Sequence, residues 1–295
     1  SVLLLLTCKN QTSTAESSEF QFKPISDAVL ETAVIYEANI RQYSESGTFS
    51  DFTKDIPNLK QLGVKVIWLM PIFPISETKR KATGGEFASL IEDETEREKM
   101  LGSYYAVTDF TKVNPEFGTL EDFRTLVKTA HENDIYVILD WVPNHTGWDH
   151  SWIKTNPEYY TQNEAGDIID PINPDTGESW GWQDVADLNY DNKEMRAEMI
   201  EDMLFWITQE NIDGFRCDVA SAVPLDFWKD AIAKLRAKKD IFMLAEAGET
   251  NLVEGTELFD MVYGWDRHHV FNQMAKSEDA VNLWKESIKR DTNLY

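Results

Sequence analysis

Three short segments of this chain each set an ionisable side chain at the end of an apolar run. They are Asp140-Trp141-Val142-Pro143-Asn144-His145, Gly214-Phe215-Arg216-Cys217-Asp218-Val219 and Leu244-Ala245-Glu246-Ala247-Gly248. Side chains alternate along a strand, so Arg216 and Asp218 project to one side and Cys217 to the other. A guanidinium beside a carboxylate favours its charged form, the form a nucleophile needs. Alone, the pair could equally be a buried ion pair with no chemistry. The interval from Asp218 to Glu246 has room for one helix and one strand, which would make the two carboxyl-bearing strands neighbours about 4.8 Å apart. Carboxyl groups at roughly 5 Å suit a retaining glycosidase, because an inverting enzyme keeps a wider gap for water. The apolar run before Glu246 predicts a raised carboxyl pKa, as a proton donor requires. Glu246 by itself could also be a charge at a helix N-terminus.

To meet in space, these segments need strands that end on a common face. From residue 34 onward, short apolar β-rich runs alternate with longer amphipathic stretches, the pattern of βα units around a parallel sheet. Strands are predicted over 34–40, 64–70, 136–142, 214–219, 241–245 and 261–264, with helices over 119–133 and 193–211. The first of these helices opens with Thr119-Leu120-Glu121-Asp122, a capping-box pattern. In a parallel barrel the strand ends converge on one face, where an active site forms. Two long insertions, 71–115 and 146–191, each follow the C-terminal end of a strand, a position where long loops carry function. The charged run 92–99 reads as a solvated local helix, and no fixed short repeat suggests a solenoid or propeller.

Composition narrows the partners. The net charge of −24 repels phosphate backbones and anionic membranes, which disfavours nucleic acid and leaves a neutral substrate compatible. Aromatics make up 12% of the chain and include ten Trp, rings that can stack on sugars, although most large aromatics fill cores. Two cysteines, Cys8 and Cys217, support neither a disulfide framework nor a cysteine zinc site, and Cys217 reads as a small buried thiol. The opening Ser1-Val2-Leu3-Leu4-Leu5-Leu6-Thr7-Cys8, followed by a Ser- and Thr-rich stretch, resembles the tail of a bacterial lipoprotein signal. Cys8 would carry the lipid, residues 1–30 would form the signal-like segment and a polar tether, and the protein would be exported and anchored at a membrane or cell surface. No later segment has the roughly 18 consecutive apolar residues of a membrane span.

Taken in order on successive strands, the three segments resemble the first three signature regions of the α-amylase family. Asp184-Val185-Ala186-Asp187-Leu188-Asn189 is similar to the motif near the end of that family's domain B, and 63–71 to its second-strand motif. The stretches 102–109 and 113–119 look like the loop with a sugar-stacking tyrosine, here Tyr105. The resemblance spans about 34–266 and implies an α/β fold, a (β/α)8 TIM barrel. That barrel is expected to be incomplete, with about six βα units, barrel parts at 31–145 and 192–295, and a short domain B at 146–191 after the third strand.

By position, the resemblance makes Asp218 the nucleophile, Glu246 the general acid/base and Arg216 the residue that orients the nucleophile. Tyr105 and His145 would bind the sugar, with Asp140 as a supporting carboxylate of that set. In calcium-binding members, positions matching Asn144 and Asp187 supply oxygen ligands, so a structural calcium ion is an expectation. The implied function is retaining hydrolysis of α-1,4 linkages in starch-like glucans. Cyclomaltodextrinase or neopullulanase activity, and a non-catalytic glucan-binding barrel, are the alternatives. Where many members have Lys-His after the nucleophile this chain has Ser221-Ala222, and Ser103 stands where many have His. No Asn-His-Asp segment, the family's source of a third carboxylate, occurs before Tyr295, so the expectation is a truncated catalytic domain.

Overall fold

A computed structural model describes residues 22–173, 176–255, 257–276 and 279–291; Cys8, the predicted lipid site, lies outside them. Six parallel strands form one sheet in the order β1 (Val34–Ala38), β2 (Val64–Leu69), β3 (Tyr136–Trp141), β6 (Gly214–Cys217), β7 (Phe242–Ala245) and β8 (Met261–Val262). Every predicted strand is present, most of them shortened where the chain turns into a catalytic-face loop. Between β3 and β6 the chain makes an excursion that leaves through β4 (His145–Gly147) and returns through β5 (Val185–Asp187), which pair antiparallel. The architecture is an incomplete (β/α)8 barrel with an inserted excursion after its third parallel strand.

Helices pack on the outer face. Thr119 caps the helix Leu120–Glu132 through the reciprocal capping box read from the sequence, and Phe123, Leu126, Val127 and Ala130 are its buried stripe. The helix Lys193–Thr208 buries Met195, Met199, Met203 and Trp206, and Trp206 meets Phe73 and Phe123 edge to face. The charged run folds as the helix Glu94–Glu98, with no buried residue.

The inner face is a separate apolar cluster of Val66, Trp68, Tyr136, Ile138, Phe242 and Leu244. Phe22, Ile25, Val29 and Leu30 pack against it, so this part of the predicted tether belongs to the barrel; the short helix Asp27–Leu30 reaches the inner layer with Leu30 buried. Gly214 enters β6 with φ +146°, and a Cβ there would stand 1.9 Å from the Phe242 carbonyl oxygen. Only glycine lets β6 and β7 approach this closely, and their register sets the two candidate carboxylates side by side.

Candidate active site

Register aligns the chemistry. Asp140 lies opposite Arg216 across β3 and β6, and Cys217 lies opposite Ala245 across β6 and β7. One residue further on, Asp218 and Glu246 follow their strands at the same level. Main-chain bonds hold both exits, from Asp218 N–H to the Trp141 carbonyl (2.8 Å) and from Glu246 N–H to the Cys217 carbonyl (3.0 Å).

Arg216 is the hub. Its Nη1 donates to Asp218 Oδ1 at 2.8 Å and to Asp140 at 2.8 and 3.1 Å, while Nη2 lies 2.7 Å from Glu246 Oε1. The guanidinium rests 4.8 Å from the centre of the Trp68 ring, and its Nε reaches the Tyr263 hydroxyl at 3.4 Å. Asp140 is wholly buried and accepts from Arg216, from Trp68 Nε1 (3.1 Å) and from the Tyr105 hydroxyl (3.3 Å). Its two oxygens are thus taken up by Arg216, Trp68 and Tyr105.

The charge balance differs from the sequence reading. One guanidinium serves three carboxylates, so it cannot hold Asp218 firmly ionised. Burial pushes the Asp218 carboxyl up to about 7; Arg216 opposes this, and the Glu246 carboxyl, close enough to hydrogen-bond with it, adds to the rise. Glu246 is not enclosed by the apolar run that precedes it: its side chain is 29% exposed, against 10% for Asp218. It opens toward solvent, where a leaving group and a water molecule can reach it.

Val219, directly after Asp218, adopts φ 43° and ψ 44°, the left-handed region, which is rare for a β-branched residue. In this conformation its N–H donates to Glu246 Oε2 at 3.1 Å, and strain of this sort collects at functional sites. No pattern of residue types in the sequence signals it. Trp68 and Tyr263 were missed as well: period-2 alternation puts Trp68 on the face of Val66, but within an apolar run it reads as core.

His145 is buried beside Tyr105. Burial lowers its pKa to about 4, so at neutral pH the ring is uncharged and carries one N–H donor. Asn144 and Asp187 meet at the root of the excursion, where His145 pairs with Asp187 and Leu188 N–H donates to the Asn144 carbonyl (3.2 Å). Burial pushes the Asp187 carboxyl up to about 6, with Asp170 adding to the rise. Among the described residues, no three or more His, Cys, Asp or Glu side chains are grouped to hold a metal.

Known proteins carry the same framework. The family described as alpha amylase, catalytic domain, matches residues 37–293. Alpha-amylase 3 of Dictyoglomus thermophilum is 28% identical over 239 residues, covering 72% of this chain and 43% of that protein. The alpha-1,4-glucan:maltose-1-phosphate maltosyltransferase of Corynebacterium pseudotuberculosis is 33% identical over 208 residues, 68% of this chain and 29% of that protein. The chain thus spans less than half the length of either relative. Among solved structures, an alpha-amylase from Lactobacillus plantarum superposes with a TM-score of 0.73 at 33% identity, covering 88% of this chain and 59% of that one.

Proposed function

Because this chain belongs to the alpha-amylase catalytic-domain family, we propose that the protein hydrolyses α-1,4-glucosidic bonds of starch-like glucans with retention of configuration. One observation carries the reading: a single guanidinium fork holds Asp218 and Glu246, two carboxyls at the same level on adjacent strands. Carboxyls set this way on neighbouring strands suit the close spacing of a retaining enzyme, in which one carboxyl attacks directly.

In the first step Asp218 attacks the anomeric carbon as the glycosidic C–O bond breaks, and Glu246 gives its proton to the departing oxygen. The bond to Asp218 makes a β-linked glycosyl ester. In the second step Glu246 takes a proton from water, the water oxygen bonds to the anomeric carbon, and Asp218 leaves as a carboxylate. Two inversions restore the α configuration. Arg216 keeps both carboxyls aimed, the Val219 N–H fixes one oxygen of Glu246, and neutral His145 offers an N–H to a sugar hydroxyl. Ser221 and Ala222, which stand where many members of the family have Lys-His, are short, exposed and uncharged and would offer the leaving group no charged contact.

The test follows fresh digestion of maltopentaose by the full-length protein with proton NMR. Newly formed reducing ends are expected to appear as the α-anomer before mutarotation; β-anomer appearing first would reject the assignment of Asp218 as nucleophile.

A structural calcium ion is part of this proposal. Asp187 is a largely buried carboxylate with Asp170 as a like-charged neighbour, and a divalent cation held by the oxygens of Asp187 and Asn144 would offset both penalties. Its remaining ligands would be main-chain carbonyls and water, since calcium takes six to eight oxygens. Exhaustive chelation is expected to lower Tm by several degrees, since an ion bound only to the native state stabilises it. An unchanged Tm with no metal found by elemental analysis would remove calcium from the proposal.

A further inference from the structure

The excursion between β4 and β5 presents an aromatic surface that the catalytic cluster does not use. Trp182 stands edge to face with His145, ring centres 6.0 Å apart at 64°, and Trp180 stacks on Trp182 at 5.8 Å and 17°. Residues two apart on an extended strand share a side but lie too far apart to stack. Here Gly181 lies between them at φ +79°, folding the chain so that the rings meet face to face. The pair is held in place: Trp180 N–H donates to the Pro171 carbonyl (3.0 Å), Trp148 Nε1 donates to the Gln183 carbonyl (3.0 Å), and Lys79 Nζ sits 3.5 Å over the Trp148 ring. Trp180 is nevertheless 48% exposed, whereas Trp141, Trp206 and Trp228 are fully buried. A large ring held against a second indole and half open to solvent fills no core, and it leaves an apolar side free for a ligand.

We propose that the open side of Trp180, backed by Trp182, is a stacking platform for an outer glucose unit of an α-glucan whose reacting bond lies at Asp218 and Glu246. The inference rests on the proposed substrate class. The C–H faces of a pyranose are flat and apolar and suit an indole face, while its hydroxyls remain in water at the rim. The strongly acidic chain disfavours an anionic occupant, and Trp182 links Trp180 to His145, so a glucan chain that extends beyond His145 on this side reaches the open side of Trp180. A short oligosaccharide ends before it does.

Trp180→Ala in the full-length protein is expected to lower kcat/KM for maltoheptaose about tenfold, the size of one well-formed aromatic contact, and to leave that for maltotriose within twofold. Trp180→Phe should restore most of the loss, because a smaller ring still stacks. Equal losses on both substrates, or none on either, would overturn the platform. If the parent protein cleaves neither substrate, the proposed hydrolysis fails, and calorimetric binding of maltoheptaose decides the platform separately. Binding weakened about tenfold by Trp180→Ala then supports it; equal binding by parent and variant, or no binding by the parent, overturns it.

Discussion

Asp218→Asn in the full-length protein is expected to reduce turnover of maltooligosaccharides by on the order of 10⁴-fold or more, the usual scale when a covalent nucleophile is removed. The amide keeps the shape of the carboxyl and can still accept from Arg216 Nη1, so folding should survive and Tm should change little. Glucan binding should persist too, because Asp218 supplies charge to the reaction and stacking elsewhere holds the sugar. The variant also separates charge from geometry. With one of three carboxylates neutral, Arg216 still pairs with Asp140 and Glu246. Turnover within tenfold of the parent, in a preparation shown free of contaminating glycosidase, would mean that Asp218 is a structural partner of Arg216 and that the nucleophile lies elsewhere.

Glu246→Gln should produce a different signature. Loss of the proton donor slows cleavage of an ordinary glucan by roughly 10²- to 10⁴-fold, the range for general acid–base catalysis. α-Maltosyl fluoride needs little protonation to leave, so it should still load Asp218 efficiently. The glycosyl ester then accumulates, since no base activates water. Azide needs no base: it should attack the ester from the face that water would use, restore turnover and yield an α-glycosyl azide. For Asp218→Asn the same anion would take the nucleophile's place and give a β-glycosyl azide. Obtaining the β-azide from Glu246→Gln would show the two roles to be exchanged.

Much of this site is legible in residue order because strands and their ends obey short-range rules. Alternation put Arg216 and Asp218 on one side, and the structure joins them at 2.8 Å. The spacing from Asp218 to Glu246 predicted adjacent strands, and β6 pairs with β7. The capping pattern at Thr119 predicted the start of a helix found at Leu120. Each inference needed only the period of a strand, the length of a crossover or the orphan donors of a helix end.

Charge sharing was not legible in the same way. The sequence pairs Arg216 with its neighbour Asp218 but does not reveal that Asp140 and Glu246 approach the same guanidinium, so it led to an expectation of a firmly ionised Asp218. Burial, with the Glu246 carboxyl beside it, pushes that group upward instead. An apolar run before Glu246 suggested a buried acid, yet the chain turns outward after β7 and leaves it the more exposed of the pair. Solvation depends on every element around a group, and its own segment supplies only part of that surrounding.

By itself, the sequence determined the parallel αβ alternation, the strand ends that carry Asp140, Asp218 and Glu246, and the excursion beginning at His145, since all of these follow from local periodicity and connection length. Tertiary structure alone decided that Trp68, Tyr105 and Tyr263 enclose the Arg216 cluster, that Val219 turns left-handed to bond Glu246, that residues near Leu30 pack against the barrel's inner layer, and that Trp180 and Trp182 stack beside His145. Those contacts join residues distant in sequence, or depend on backbone angles that several residue types could adopt, so only packing the whole chain selects them.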